Sequence, residues 1–102
     1  MSRIRAVTAM PFVCRDDLNV TDHGDGTFST GVWLVAAEHA RTVRLVALHQ
    51  AKDTPSYRQG TVLGRRTVIH EGKTRFVFRV RDDGQPRSWS GGGSGEKGYV
   101  RG

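Results

Sequence analysis

Thr74–Arg81, TRFVFRVR, constrains the fold more than any other stretch: Phe76, Phe78 and Val80 occupy one parity, and Arg75, Val77, Arg79 and Arg81 the other. Alternation with period two belongs to a strand that lays one face on a core, because successive side chains leave the backbone on opposite sides. Just upstream, Gly60–Ile69 (GTVLGRRTVI) is rich in β-branched residues, with Gly64 where a bulge or close backbone approach is expected. His70, Glu71, Gly72 and Lys73 supply a turn with a glycine. The two stretches are therefore read as an antiparallel hairpin with Phe76 and Phe78 in the core.

Elsewhere the patterns are shorter. Asp22–Phe28 (DHGDGTF) is a turn cluster, and Ser29–Ala37 (STGVWLVAA) reads as a strand entering the core. Val43–His49 (VRLVALH) reads as another, with a helical turn at Glu38–Thr42 between them. The run from Val32 to His49 can also be drawn as one amphipathic helix; two strands are the preferred reading. Ala51–Gly60 is read as a loop, because Pro55 disfavours helix at Thr54 and starts a turn. Ile4–Val7 and Phe12–Cys14 are candidate short strands. Short strands with glycine-marked corners predict an all-β or β-rich α+β domain, a small, strongly curved sheet or barrel with at most short helical turns. The 102 residues are read as one domain, 1–102, closing with a glycine-rich loop and C-terminal end at 90–102.

The single cysteine, Cys14, has no partner for an internal disulfide, which makes a reducing cytoplasm the expected compartment. No apolar run approaches the roughly 18 residues of a membrane span, and Met1–Arg15 lacks the organised regions of a signal peptide. No membrane association is expected.

Charge is more informative. Sixteen Lys and Arg stand against ten Asp and Glu, a formal net charge of +6. The excess is concentrated between residues 58 and 87, where Arg58, Arg65, Arg66, Lys73, Arg75, Arg79, Arg81 and Arg87 face only Glu71, Asp82 and Asp83. All but one of these basic residues are arginine, whose planar fork grips phosphate bidentately and stacks on bases. On the expected hairpin, Arg65, Arg66, Arg75, Arg79 and Arg81 lie on one two-stranded ribbon, and the register decides how many share a face. The alternative is a basic surface that serves only solubility.

Bases are read by stacking and by hydrogen bonds to their edges. Trp33, Tyr57, Trp89 and Tyr99 are the aromatic candidates. Trp33 lies in an apolar run and is assigned to the core, whereas Tyr57 and Trp89 are placed in loops beside Arg58 and Arg87. Trp89–Val100, WSGGGSGEKGYV, contains the spacing G-x-G-x-x-G but neither a following helix nor the Lys context of a P-loop. It is left as either an ordered binding loop anchored by Trp89 and Tyr99, with Lys97 near its end, or a flexible tail.

TGVWLVA, ALHQAKDTPSY and GTVLGRRTV together resemble the strand, loop and G-x-V-x-G strand of the PUA-like β-barrels, the group that includes EVE and ASCH domains, over about residues 27–81. The chain is short for an EVE domain and matches neither its opening segment nor its closing helix. The resemblance implies a pocket that receives a base, often a modified one, from RNA or DNA. The expected function is thus a non-catalytic nucleic-acid-binding module, with no cofactor and no metal. Two rivals remain. Asp53 with Glu71 and Lys73 loosely matches the D…E-x-K pattern of metal-dependent nucleases, although Glu71 and Lys73 fall in a predicted turn. The basic ribbon also suits an acidic protein partner. His23, His39, His49 and His70 lack zinc-ligand spacing, and Ser56 near His49 is read as a turn residue rather than a nucleophile.

Overall fold

The computed structural model describes residues 6–90 and 95–101. Among them, strands β1 (Val7–Val13), β2 (Thr21–Asp22), β3 (Thr27–Ser29), β4 (Leu45–His49), β5 (Ser56–His70), β6 (Lys73–Asp82) and β7 (Val100–Arg101) join in one sheet, with one helix, α1 (Ala37–Thr42). The strand order is β2-β3-β6-β5-β4-β1-β7. β1 and β4 run parallel, and every other pair is antiparallel. The domain is therefore β-rich, as expected, but its sheet is mixed and open. Both edge strands are two residues long. No described helix is long and apolar enough to cross a membrane.

The β5–β6 hairpin forms as its alternation predicts. Its register runs from Gly60↔Asp82 to His70↔Lys73, and Phe76 and Phe78 are buried. Glu71 and Gly72 make the turn with φ of 54° and 75°, the backbone of a type I′ turn, whose twist matches that of the strands it joins. The pairing passes from Val62↔Val80 to Gly64↔Arg79, so Leu63 is the extra residue of a bulge. Val77 lies on the parity of the arginines yet is only 4% exposed. Arg66 stands opposite it and Arg75 and Arg79 flank it along β6, three long side chains whose aliphatic stems are suited to cover such a residue.

The sheet curls strongly. Trp33 pairs with Phe76 of β6, three strands across from β1, a separation of roughly 14 Å in a flat sheet. Its ring nevertheless lies 4.5 Å from that of Phe12 in β1. Phe12, Phe28 and Phe78 fill the concavity with Met10, Leu48, Val46 and Val80, and α1 adds Ala40. This burial of large apolar side chains is the main stabilising term available to so small a domain.

Three expectations need correction. Ser29–Ala37 is not a regular strand: beyond β3 it continues beside β6 irregularly, with the Thr30 N–H donating to the Phe78 carbonyl and Thr30 Oγ1 accepting the Phe78 N–H. A side-chain oxygen thus stands in for a ladder carbonyl. Ala51–Gly60 is not all loop, because β5 begins at Ser56. Its start is held by pairing with β4 and by Ser56 Oγ, which accepts the Arg87 N–H at 2.8 Å. Val7 and Phe12–Val13, placed in two separate N-terminal fragments, belong to one strand, β1, whose Pro11 obscures it in sequence. Pro11 is tolerated because its carbonyl accepts from Gly98 on the flank where regular pairing with β7 has ended, so no ladder donor is missed. Ile4 and the glycines at 91–93 lie outside the described residues.

Candidate nucleic-acid interface

Register sorts the arginines of the ribbon. Gly64, Arg66 and Val68 stand opposite Arg79, Val77 and Arg75, so Arg66, Arg75 and Arg79 share the outer face with Arg81, which pairs with Thr61. Arg65 stands opposite Phe78 on the inner face. Its guanidinium donates to the carbonyls of Arg41 and Val43 at 3.4 and 3.5 Å, complementing the negative C-terminal end of α1. Arg65 is thus removed from the basic face: two adjacent strand residues cannot point the same way, and the bulge at Leu63 decides which one turns inward.

On the outer face a hollow of about 350 Å³ opens at the bulge, with Gly64 and Val77 in its lining, Arg66 and Arg79 at its sides, His23 from the turn after β2 and Ser29 from β3. Arg65 also borders it, while its guanidinium donates to the carbonyls of Arg41 and Val43. His23 Nε2 and Ser29 Oγ are 2.7 Å apart. Arg79 lies 3.6 Å from Asp25, both about half exposed, so that pair is weak and open to competition by phosphate. Hydrogen bonds from Thr27 hold the Asp25 carboxyl below the usual carboxylate range. Arg75 lies 4.0 Å from Glu71.

The remaining candidates are committed within the fold. Arg58 grips Asp17 through Nε and a terminal nitrogen at 2.9 Å each, reaches Asp22 at 3.4 Å, and sits 5.4 Å over the Phe28 ring. The Asp17 carboxylate holds its guanidinium firmly protonated. Tyr57, expected in a loop, belongs to β5, packs against the core and donates its hydroxyl to the Cys14 carbonyl. Burial pushes its phenol well above the ordinary value. Trp89 meets the His49 ring edge-on at 5.2 Å, and Lys52 Nζ lies 5.2 Å from its centroid. A Cβ at Gly98 would come within 3.2 Å of the Trp89 ring, so the indole fastens the C-terminal segment. Tyr99 packs on the core and meets His39 at 5.1 Å. Lys97 donates to the Leu34 carbonyl, and burial lowers its ammonium below the usual lysine value. Both ends of the glycine-rich stretch are therefore fastened, while residues 91–94 lie outside the described residues.

A second hollow, of about 310 Å³, was not anticipated. Trp33, Gly31 and Val32 line it from beside β6, Val13 and Cys14 from the end of β1, Arg15, Leu18 and Asn19 from the turn that follows, and Glu96 from the C-terminal segment. In that turn Asp16, Asp17 and Asn19 have φ of 56°, 56° and 61°, a left-handed conformation that Asp and Asn tolerate better than most residues. The Asp16 N–H bond to Gln50 Oε1 and the Arg58 grip on Asp17 hold it there. Trp33, assigned to the core, proves half-buried: it packs on Phe12 and also lines the hollow. The signal for this site was the run Asp16, Asp17, Leu18, Asn19, a turn sequence that closes one side of it. Burial pushes the Cys14 thiol up, so it is a neutral wall residue at pH 7.

The nuclease pattern is not assembled. Asp53 lies just before β5 and Glu71 just beyond its end, separated by fifteen residues of strand, on the order of 45 Å of path. They cannot share an ion. Among the described residues no group of three or more His, Cys, Asp or Glu side chains gathers to hold a metal. Comparison of the chain with protein-family models, with curated proteins and with solved structures returns no match.

Proposed function

We propose that this protein is a non-catalytic nucleic-acid-binding module that holds phosphates on the outer face of its hairpin and receives a base in the Trp33 hollow. The observation that carries this reading is that Arg66, Arg75, Arg79 and Arg81 share one sheet face, on which Arg66 and Arg79 line the hollow at the bulge. Arginine forks there match successive phosphates, and displaced counterions make such binding steeply salt-dependent. Trp33 offers an aromatic wall, and Asn19, Arg15 and Glu96 offer donors and acceptors for a base edge. The two hollows adjoin one chain segment: Ser29 lines the first and Gly31–Trp33 the second. The likeness of residues 27–81 to PUA-like domains belongs to the same reading, since it implies a base-receiving pocket. A reducing cytoplasm suits the single thiol.

The test is a fluorescence-anisotropy titration of labelled DNA and RNA oligonucleotides over a range of salt. Arg66→Gln and Arg79→Gln should each weaken binding to every sequence and reduce the salt slope by about one phosphate contact. Trp33→Leu, which keeps apolar bulk against Phe12, should cost about 1–3 kcal/mol with the slope unchanged. An unmutated protein without affinity at low salt would overturn the proposal, because the electrostatic attraction is strongest there.

A further inference from the structure

The distal end of the hairpin stands clear of the sheet. β4 follows β5 only as far as Leu45↔Thr61, with one more bond from Val62 N–H to the Arg44 carbonyl. On the other flank the last partner of β6 is Trp33, at Phe76. Beyond these, Thr67–Thr74 is held by its own cross-strand pairs and turn, and none of these residues is buried. At about 3.3 Å per residue the arm reaches roughly 13 Å past the body. Its outer parity carries His70 and Lys73 at the tip and Arg66 and Arg75 at the root, against the single acid Glu71. On the opposite parity, beside Thr74, stands Ile69, 71% exposed. A protruding two-stranded ribbon with a large bare apolar residue is an aggregation hazard unless something covers it.

We infer that the arm Thr67–Thr74 enters the minor groove of duplex DNA and that Ile69 presses against the base stack as an apolar wedge. This rests on the nucleic-acid reading above and adds the class of substrate to it. Charge complementarity selects the occupant: Arg66 and Arg75 at the root and Lys73 at the tip can meet phosphates that flank an inserted ribbon, and the uncharged Thr67, Ile69 and Thr74 are left for the bases. Two-stranded ribbons enter the minor groove as well as the major, and apolar wedges inserted between base steps from the minor groove unstack and kink the duplex. The minor groove of A-form RNA is wide, shallow and lined with 2′-hydroxyls, so it offers the ribbon no close-fitting slot and duplex RNA should be a poor substitute.

The test uses the full chain, a short DNA duplex with a fluorescent base analogue that brightens on unstacking, the matching single strand, and the same duplex in RNA. The unmutated protein should brighten the DNA duplex. Ile69→Ser should abolish the brightening and weaken duplex binding about tenfold, as expected for an apolar side chain that no longer buries. Its salt slope and single-strand affinity should stay as they were. Arg66→Gln should lower the salt slope while brightening at saturation persists. Equal brightening by Ile69→Ser, or equal Ile69-dependent binding of duplex RNA, would overturn the arm while leaving the binding module intact. Sedimentation that shows a dimer dissolved by Ile69→Ser would also overturn it, since the bare residue would then meet a second copy. Loss of all nucleic-acid affinity in the unmutated protein would sink the module itself.

Discussion

The two ends of β5 carry arginines in opposite circumstances. At the near end Arg58 is only 22% exposed, gripped by Asp17, in reach of Asp22 and laid over Phe28. Eight residues on, Arg66 is exposed and makes no hydrogen bond or ion pair with another described residue. Charge alone does not distinguish them, since both belong to one Arg-rich stretch. What separates them is whether the fold brings carboxylates alongside: the turn after β1 carries Asp17 to Arg58, and nothing acidic is carried to Arg66. An internally neutralised arginine serves stability, and an unpaired one remains available to a polyanion.

The comparison breaks most severely at the joint between the two ends. Gly60 lies so close to β6 that a Cβ there would fall 1.7 Å from the Arg81 carbonyl oxygen. Backbone cannot yield to that overlap cheaply, so Gly60→Ala should cost at least about 3 kcal/mol in urea unfolding or prevent folding outright. A variant of near-normal stability would show that the ladder there is looser than described.

Arg58→Ala comes next. It removes charge-assisted bonds to Asp17 and the cover over Phe28, and should cost about 2 kcal/mol, moderated because Asp17 is partly exposed. Its nucleic-acid affinity, corrected for the folded fraction, should be nearly unchanged. A large loss of affinity would place Arg58 in the interface after all.

Acid sharpens the same contrast. Asp83 hydrogen-bonds Arg87, its closest contact being 2.6 Å, and that bond holds its carboxyl below the ordinary value. A carboxyl depressed in the folded state adds stability that is fully present above its unfolded pKa of about 3.9 and is lost as pH falls through the folded value. Thermal unfolding should therefore show Tm dropping below about pH 4, and Arg87→Gln should flatten that drop. Arg66→Gln should leave the acid profile unaltered.

The smallest stability effect is expected at the far end. Arg66→Ala should change unfolding free energy by less than about 0.5 kcal/mol, as for an exposed side chain without partners. Its effect should appear in the salt slope of binding instead.

The hairpin was legible in sequence because a period of two and a glycine turn are local properties that tertiary contacts reinforce. Gly64 as the place of a bulge was legible too. The fate of Arg65 was not, because one extra residue at Leu63 reverses the parity of all that follows in β5, and only the pairing with β6 shows where the extra residue falls. Tyr57 reads as a loop aromatic because Pro55 dominates its surroundings, whereas the structure places it in β5 and ties it to Cys14. Trp89 does lie outside the strands and the helix, but it packs on His49. The hollow beside Trp33 draws on residues 13–19, 31–33 and 96, and no local pattern joins stretches so far apart.

By itself the sequence determined a β-rich chain with a basic hairpin, because alternation and turn chemistry act between near neighbours. The curl of the sheet, the neutralisation of Arg58, the inward turn of Arg65, the hollow at Trp33 and the bare Ile69 were decided by the tertiary structure alone. Each depends on which distant strand or turn lies alongside, and backbone pairing and packing across the sheet settle that.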